Sequence, residues 1–264
     1  RVGRDSIRAV TGERRVNFDD REMRGREGVE RFYDAFLRGR PGTENVLVDA
    51  RGFAIRRWTV VEAKKGPDLR LALDIDIQRA AEEALAGRRG ACVVLDANTG
   101  DVLAAASAPT YDLNACVPIL TQAHYAELKD DPQKPLLNRA FSGQYPPGST
   151  FKTICAVAGL EAGWDPDATY ECTGAYEIGG AHIRCTARWG HGFLDIRDAL
   201  KKSCNPFFCN LGMKTGTNVL CRTARMFGLG AATGVDYPAE GPGVVPDATW
   251  KWRHYREPWY LGNL

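Results

Sequence analysis

The sequence predicts an α+β fold in which a mixed sheet is flanked by helices, with a small α+β module at the N-terminus. Residues 45–62 alternate between apolar and polar side chains, which is typical of antiparallel strands. Residues 69–106 contain a strand pattern, an amphipathic helix and a hairpin, an order that favours a sheet backed by helices. Several further helical segments follow between residues 149 and 227.

The N-terminal module is predicted to span residues 1–66. Its residues 28–37 show apolar side chains at helical spacing, and the helix is expected to end at Gly39. The Phe and Tyr side chains of this helix are expected to lie in the core. Two strands at 45–50 and 53–62 follow, joined by a turn. The run from Lys64 to Pro67 favours a boundary, so residues 67–264 form the larger domain.

The larger domain alternates helices with strands and turns. The predicted helices lie at 76–86, within 113–134, and at 149–162, 194–200, 207–213 and 218–227. The predicted strands lie at 69–73, 91–96 and 101–106, the last two joined by a hairpin turn. Residues 230–264 are rich in Gly, Pro and Trp and are predicted to be loop.

Composition excludes several classes of function. The 264 residues are 44% apolar and 26% charged, as in an ordinary globular protein. The net charge of +2 argues against nucleic acid as a partner. The sequence contains no run of 18 apolar residues and does not begin with Met, so we expect an excised soluble piece of a longer protein.

One motif, Ser149-Thr150-Phe151-Lys152, follows a rigid Tyr145-Pro146-Pro147-Gly148 turn and opens an apolar helix. Residues three apart share a helix face, so an amine is placed beside a hydroxyl. Serine becomes a strong nucleophile when a base takes its proton, and a lysine serves as that base when burial lowers its pKa. In the alternative interpretation, Ser149 caps the helix and Lys152 is a solvated lysine.

The second motif is Ser203-Cys204-Asn205. Ser203 can relay a proton between Lys152 and a leaving amine, and Asn205 can hold a substrate backbone through its amide. A Ser-x-x-Lys followed by Ser-x-Asn is typical of serine acyl-enzymes that recognise penicillin.

Residues 138–152 resemble the active-site segment of class B penicillin-binding proteins. Residues 90–104 resemble the first strands of their transpeptidase domain, and residues 28–42 are similar to the pedestal or dimerisation-type module that precedes it. The segments at 189–192, 227–230 and 233–236 are similar to the elongation type, penicillin-binding protein 2. The resemblance implies the penicillin-binding transpeptidase fold.

The family has a third motif, Lys-Thr/Ser-Gly, on an inner strand of the sheet. Lys214-Thr215-Gly216 has the same letters but begins only 11 residues after Ser203 (214 − 203), between two segments predicted to be helical. We therefore do not assign it as the third motif. By the resemblance, the true motif lies beyond the end of this chain, and with it one donor of the oxyanion hole. Such donors contribute roughly 10²–10³-fold in rate, so we expect the chain as given to acylate poorly or not at all.

The chain has eight cysteines and four histidines. Three of the cysteines and one histidine form the pattern C-x12-C-x5-H-x12-C, made of Cys172, Cys185, His191 and Cys204. Three thiolates and one imidazole suffice for a closed tetrahedral Zn²⁺ site. The resemblance adds that some penicillin-binding proteins 2 bind zinc with carboxylate, histidine and cysteine ligands. His191 and Cys204 match that pattern directly, Cys185 stands where it has a carboxylate, and Cys172 stands near the other carboxylate in a loop of slightly different length. A Cys172–Cys185 disulfide and unlinked thiols are the alternatives.

The resemblance implies a D,D-transpeptidase that cross-links peptidoglycan stem peptides during cell elongation. Ser149 would attack the D-alanyl-D-alanine end, and β-lactams would acylate the same residue. The resemblance also implies an N-terminal membrane anchor, a location on the extracytoplasmic (periplasmic) face of the membrane and a RodA-type glycosyltransferase partner. A non-catalytic β-lactam sensor of the same fold and a serine β-lactamase are the alternatives, although no Glu stands in a clear position to activate a deacylating water.

Overall fold

A computed structural model describes residues 24–116 and 120–260 of the chain. Three parts of the predictions lie outside these residues: residues 1–23 of the N-terminal module, residues 117–119 of the helical stretch and residues 261–264 of the C-terminal loop. The described residues divide into two compact units. One comprises residues up to 143 together with Gly234–Glu240, and the other comprises 144–233 with the residues from 241 onward. These units are defined by how the residues pack together. The boundary between the N-terminal module and the larger domain near residue 66 stays a prediction.

The N-terminal residues form two short helices and a hairpin: α1 (Gly28–Phe32), α2 (Asp34–Leu37), β1 (Thr43–Val48) and β2 (Ala54–Val61). The predicted hairpin is confirmed, and β1 pairs with β2 in antiparallel register. The predicted helix is divided at Tyr33, whose hydroxyl donates a hydrogen bond of 2.8 Å to Asp236. The prediction of an aromatic core is wrong for Phe32 and Phe36, which are 51% and 48% exposed, because helices of five and four residues bury no side chain here.

Next come a helix, a hairpin and a further helix: α3 (Ile75–Ala84), β3 (Gly90–Leu95), β4 (Val102–Ala108) and α4 (Gln122–Asp130). Asp74 caps α3 by accepting hydrogen bonds from two backbone N–H groups. Ala81 packs against Ala104 and Ala106, and these small side chains let the helix approach the hairpin closely. The predicted strand at 69–73 is wrong. Within the described residues no strand pairs with it, and only Asp74 bonds to Leu103 of β4.

The second unit carries the remaining helices and four short strands. In chain order they are α5 (Lys152–Glu161), β5 (Tyr170–Cys172), β6 (Ala175–Ile178), β7 (Ala181–Arg184), β8 (Gly192–Leu194), α6 (Ile196–Lys201), α7 (Asn205–Thr215), α8 (Thr217–Met226) and α9 (Ala248–Tyr255). The predicted helices are confirmed. The prediction of loop beyond residue 230 is wrong at α9, where Asp247 accepts a hydrogen bond from Trp250 and so caps a helix.

Every described strand belongs to a two-stranded antiparallel pair, with β5 bonded to β8 and β6 bonded to β7. The core of the second unit gathers side chains of α5, α6, α7 and these strands, with Phe207, Leu211 and Cys204 fully buried. α5 and α7 approach so closely that a Cβ added to Gly159 would lie 2.6 Å from Leu211 Cδ1. No described helix is both long and apolar enough to cross a bilayer.

Candidate active site

The first motif lies at the start of α5. Residues Gly148–Phe151 form one 3₁₀ turn, and Lys152 is the first residue of the α-helix. Gly148 has a φ of 58°, which the absence of a Cβ permits. Neither helical segment shows a side-chain cap, so the Ser149 hydroxyl is not used as a capping group. Ser149 is exposed to solvent.

The second motif forms the corner between α6 and α7. Ser203 N–H bonds to Leu200 O at 3.1 Å and Cys204 N–H bonds to Ala199 O at 2.9 Å, which together close α6 as a Schellman motif. Ser203 has a φ of 51°, at the position that glycine usually occupies. A side chain in this left-handed conformation is strained, and such strain often marks functional sites.

The two motifs meet through a chain of hydrogen bonds. Lys152 Nζ donates to Ser203 Oγ at 2.9 Å, to Ser203 O at 2.7 Å and to Asn205 Oδ1 at 2.6 Å. Ser203 Oγ donates to Ser149 Oγ at 3.0 Å. The hydroxyl of Ser203 therefore bridges the hydroxyl of Ser149 and the amine of Lys152.

The surroundings of Lys152 favour its neutral form more than water does. Burial lowers the pKa of Lys152 below its usual value of 10.5, although neighbouring cysteine thiolates act in the opposite sense. The ring of Phe208 contributes to this burial, since its centroid lies 5.8 Å from Nζ. A neutral amine could accept a proton from Ser203 once the hydroxyls rotate, and Ser203 could accept one from Ser149.

The side-chain amide of Asn205 is engaged at both ends. Its Oδ1 accepts from Lys152, and its Nδ2 donates to the backbone oxygen of Arg184 at 3.0 Å. Sequence reasoning missed the Arg184 carbonyl, because a backbone acceptor has no side-chain pattern by which to find it. This contact ties the second motif to the end of β7.

Lys214-Thr215-Gly216 lies elsewhere, at the C-terminal end of α7. Lys214 is exposed and its Nζ lies 4.9 Å from the Trp164 ring centroid, while Thr215 is buried. Lys214 lies nine positions after Asn205 along α7, a rise of about 14 Å. The sequence predicts a break between two helices at 214–217, but α7 continues through Lys214 and Thr215 and α8 begins at Thr217, so the break is limited to Gly216, which has a φ of 80°.

The four predicted metal ligands converge beside the second motif. Ligand atoms of Cys172, Cys185, His191 and Cys204 all lie within 4.8 Å of one another. Cys185 Sγ lies 3.3 Å from His191 Nδ1 and 3.9 Å from Cys204 Sγ. Cys172 and Cys204 are buried, whereas Cys185 and His191 are partly exposed. The eight cysteines are unlinked in the structure.

The thiols of this cluster differ in acidity. Burial opposes ionisation of Cys185, but the backbone N–H groups of Ala187 and Asn205 and the neighbouring thiols lower its pKa on balance. Burial raises the pKa of Cys204 to about 12. A cation at the centre of the cluster would favour all the thiolates, because a coordinating thiol is deprotonated.

Comparison with known proteins gives the family. The model described as "Penicillin binding protein transpeptidase domain" matches residues 90–258. The chain belongs to the penicillin-binding protein transpeptidase family. The penicillin-binding protein dimerisation domain matches residues 2–71.

Individual penicillin-binding proteins are similar to nearly the whole chain. The peptidoglycan D,D-transpeptidase MrdA of Escherichia coli K12 is 38% identical over 242 residues, which cover 90% of this chain and 38% of that protein. The structure of Pseudomonas aeruginosa PBP2 with WCK 5153 is 36% identical with a TM-score of 0.78, and the match covers 90% of this chain and 49% of that one. Helicobacter pylori PBP2 in complex with MreC is 32% identical with a TM-score of 0.80, covering 90% and 45%. The chain thus spans well under two thirds of these relatives.

Proposed function

We propose that the full-length protein is a peptidoglycan D,D-transpeptidase that cross-links stem peptides during cell elongation and is acylated by β-lactams. The observation that carries the proposal is the hydrogen-bonded group of Ser149, Ser203, Lys152 and Asn205. Membership of the transpeptidase family and 38% identity to a named D,D-transpeptidase support it.

In the proposed first step, Ser149 Oγ attacks the carbonyl of the penultimate D-alanine. Its proton passes to Ser203 as the Ser203 proton passes to a neutral Lys152. The peptide C–N bond then breaks, and the leaving D-alanine nitrogen takes a proton from Lys152 through Ser203. The 3.0 Å and 2.9 Å contacts of Ser203 suit this relay, since proton transfer needs heavy atoms at hydrogen-bond distance.

In the proposed second step, the amine of another stem peptide attacks the acyl carbonyl. A C–N bond forms, the bond to Ser149 Oγ breaks, and the amine proton returns to Ser149 through Ser203. Lys152 takes up one proton in the first step and returns it to the leaving nitrogen, so no external acid or base is consumed.

We further propose Zn²⁺ as a structural ion held by Cys172, Cys185, His191 and Cys204. Three thiolates and an imidazole suit zinc, and the convergence of the four ligand atoms within 4.8 Å supports a closed site. When bound, zinc would fix these side chains and take no part in acyl transfer. A Cys172–Cys185 disulfide would use two of the four groups and leave His191 and Cys204 without a shared role.

Metal analysis of protein purified without added zinc tests the metal proposal. About one zinc per chain is expected. Absence of zinc, together with two fewer titratable thiols than the sequence contains, would support the disulfide instead.

We also propose that the full-length protein is anchored by an N-terminal helix, works on the extracytoplasmic face of the membrane and assembles with a RodA-type glycosyltransferase through its N-terminal module. The dimerisation-domain match at residues 2–71 supports a module of this kind. The H. pylori relative in complex with MreC supports assembly with other proteins as a property of such relatives.

Mass spectrometry of the full-length protein after incubation with a β-lactam tests the activity. A long-lived adduct on Ser149, together with turnover of a stem-peptide substrate, is the expected result. An adduct without peptide turnover would indicate a sensor, and rapid β-lactam turnover would indicate a β-lactamase.

A further inference from the structure

One aromatic side chain near the second motif is almost fully in solvent. Trp189 is 84% exposed, the highest value among the large apolar side chains of the described residues. Arg188 precedes it, and its guanidinium carbon lies 5.0 Å from the Trp189 ring centroid. An arginine at this distance interacts with the π face of the ring, so the two side chains form one cationic and aromatic pair.

The loop that carries this pair is tightly constrained. A Cβ on Gly190 would lie 1.9 Å from Cys172 O, and one on Gly174 would lie 2.5 Å from Arg188 O. Gly190 N–H also bonds to Ala187 O at 3.0 Å and closes the turn. An exposed Trp on a fixed backbone loses little conformational entropy when a ligand covers it, which is typical of binding residues.

The loop also begins at the reaction centre. Arg184, whose carbonyl accepts from Asn205 Nδ2 at 3.0 Å, lies five residues before Trp189. Five residues of chain span at most about 18 Å, and the turn at Ala187–Gly190 makes the distance from Arg184 to Trp189 shorter than that, so a peptide of five residues is long enough to cover it. A peptide whose amine reaches Ser149 can therefore extend along this loop.

The charge of the loop defines the class of ligand. Neither Arg184 nor Arg188 has an ion pair or a side-chain hydrogen bond with any other described residue. Arginine binds carboxylates through two parallel hydrogen bonds, and tryptophan covers apolar peptide surface. An anionic peptide complements both features.

We propose that Arg188 and Trp189 bind the acceptor stem peptide, an anionic peptide strand, and thereby raise the efficiency with which it resolves the acyl-enzyme. This inference rests on the proposed transpeptidase function. It concerns the second step alone, because a β-lactam brings no acceptor strand to the site.

The test compares the full-length protein with a variant that carries Arg188→Ala and Trp189→Ala. Both side chains are exposed, so the fold is expected to persist, which melting temperature verifies. Acylation by a fluorescent penicillin gives the first step. Resolution of an acyl-enzyme made from a small thioester donor, with a free acidic tetrapeptide as acceptor, gives the second.

The expected result is an unchanged acylation rate with acceptor kcat/KM reduced about tenfold, while hydrolysis of the acyl-enzyme takes the larger share. The matched control is Arg56→Ala with Trp58→Ala. It removes another arginine and tryptophan pair, 5.9 Å apart, from β2. This control is expected to leave both steps unchanged.

Unchanged use of the tetrapeptide by the Arg188 and Trp189 variant would overturn the proposal. A parallel fall in acylation and acceptor use would do so as well, because the pair would then act on the donor or on the fold. A defect seen only with an acceptor that carries sugar would assign the loop to the glycan instead. Absence of any penicillin adduct on the unmodified protein would show that the proposed function itself has failed.

Discussion

Lys152 of the first motif and Asn205 of the second are joined by a hydrogen bond of 2.6 Å between Nζ and Oδ1. The same amide donates to Arg184 O at 3.0 Å, so the orientation of the lysine depends on the end of β7, which neither motif contains. The site is therefore held by three segments distant in sequence. Its geometry should be sensitive to changes at each of them.

Replacing Lys152 by Met should reduce acylation of the full-length protein by about 10²–10⁴-fold, because it removes the proton acceptor but retains the length of the side chain. The measurement is the rate of adduct formation with a fluorescent penicillin. Lys214→Met is the matched control. Lys214 is exposed at the end of α7, so this variant should acylate within about twofold of the unmodified protein. An equal loss of acylation in both variants would contradict this prediction and would favour Lys214-Thr215-Gly216 as the third motif.

Replacing Ser203 by Gly should separate the strain at this residue from its chemistry. Glycine relieves the left-handed φ of 51° and should leave stability unchanged or raise it by about 1 kcal/mol. It also removes the hydroxyl that bridges Ser149 and Lys152, so acylation should fall by about 10²-fold or more. Ser203→Ala should lose as much activity without the gain in stability. Melting curves and adduct rates distinguish the two variants, and a glycine variant with full acylation would exclude the relay.

Replacing Cys185 by Ser should abolish zinc binding, since this thiol lies close to both His191 and Cys204. Ligand loss lowers stability by the binding free energy that the ion contributes to the folded state. A chelator should then lower the melting temperature of the unmodified protein but not that of the variant. Cys209→Ser serves as the control, because Cys209 lies on α7 outside the cluster and its loss should leave about one zinc per chain. A zinc content unaffected by Cys185→Ser would contradict the assignment.

Local patterns predicted the parts of the site that depend on spacing. The spacing predicts an amine beside the Ser149 hydroxyl, whereas the structure joins Lys152 to Ser149 through Ser203. The Cys and His cluster is predicted from its ligand types and the family resemblance. The left-handed conformation of Ser203 was not predicted, since it follows from the way α6 closes onto α7. The helices on both sides of Lys214-Thr215-Gly216 are predicted from their apolar spacing. The pattern places their break at 214–217, whereas only Gly216 lies outside α7 and α8 in the structure.

Elements that depend on distant partners were harder to predict. The four strands from β5 to β8 have three or four residues each, too few for an alternating pattern to stand out. The strand expected at 69–73 has strand-like residues, but a strand needs a partner as well as a pattern. α9 was missed because its Gly-rich and Pro-rich surroundings resemble loop, although Asp247 supplied a capping residue.

The contact of Gly159 with Leu211 sets how closely α5 approaches α7, and these helices carry Lys152 and Asn205. A Cβ at residue 159 would lie 2.6 Å from Leu211 Cδ1, so Gly159→Ala forces the fully buried Leu211 to move. Overpacking of this kind costs about 1–3 kcal/mol, against a gain of about 1 kcal/mol in helix propensity. The net expectation is a lower free energy of unfolding, together with slower acylation as the helices separate.

Gly212→Ala is the matched control for Gly159→Ala, because it adds the same methyl group to a buried position of α7. There the new Cβ would lie 3.8 Å from Leu220 Cδ1, an ordinary contact, so only the gain in helix propensity applies. Denaturant unfolding should therefore show opposite signs for the two variants, with Gly212→Ala more stable by up to about 1 kcal/mol. Combining Gly159→Ala with Leu211→Ala should lower the free energy of unfolding by less than the sum of the single changes. Leu211→Ala removes the atoms that the new methyl group at residue 159 would clash with, and that methyl group fills part of the space that Leu211→Ala leaves. Additive costs would mean that the approach of the two helices is set at some other contact.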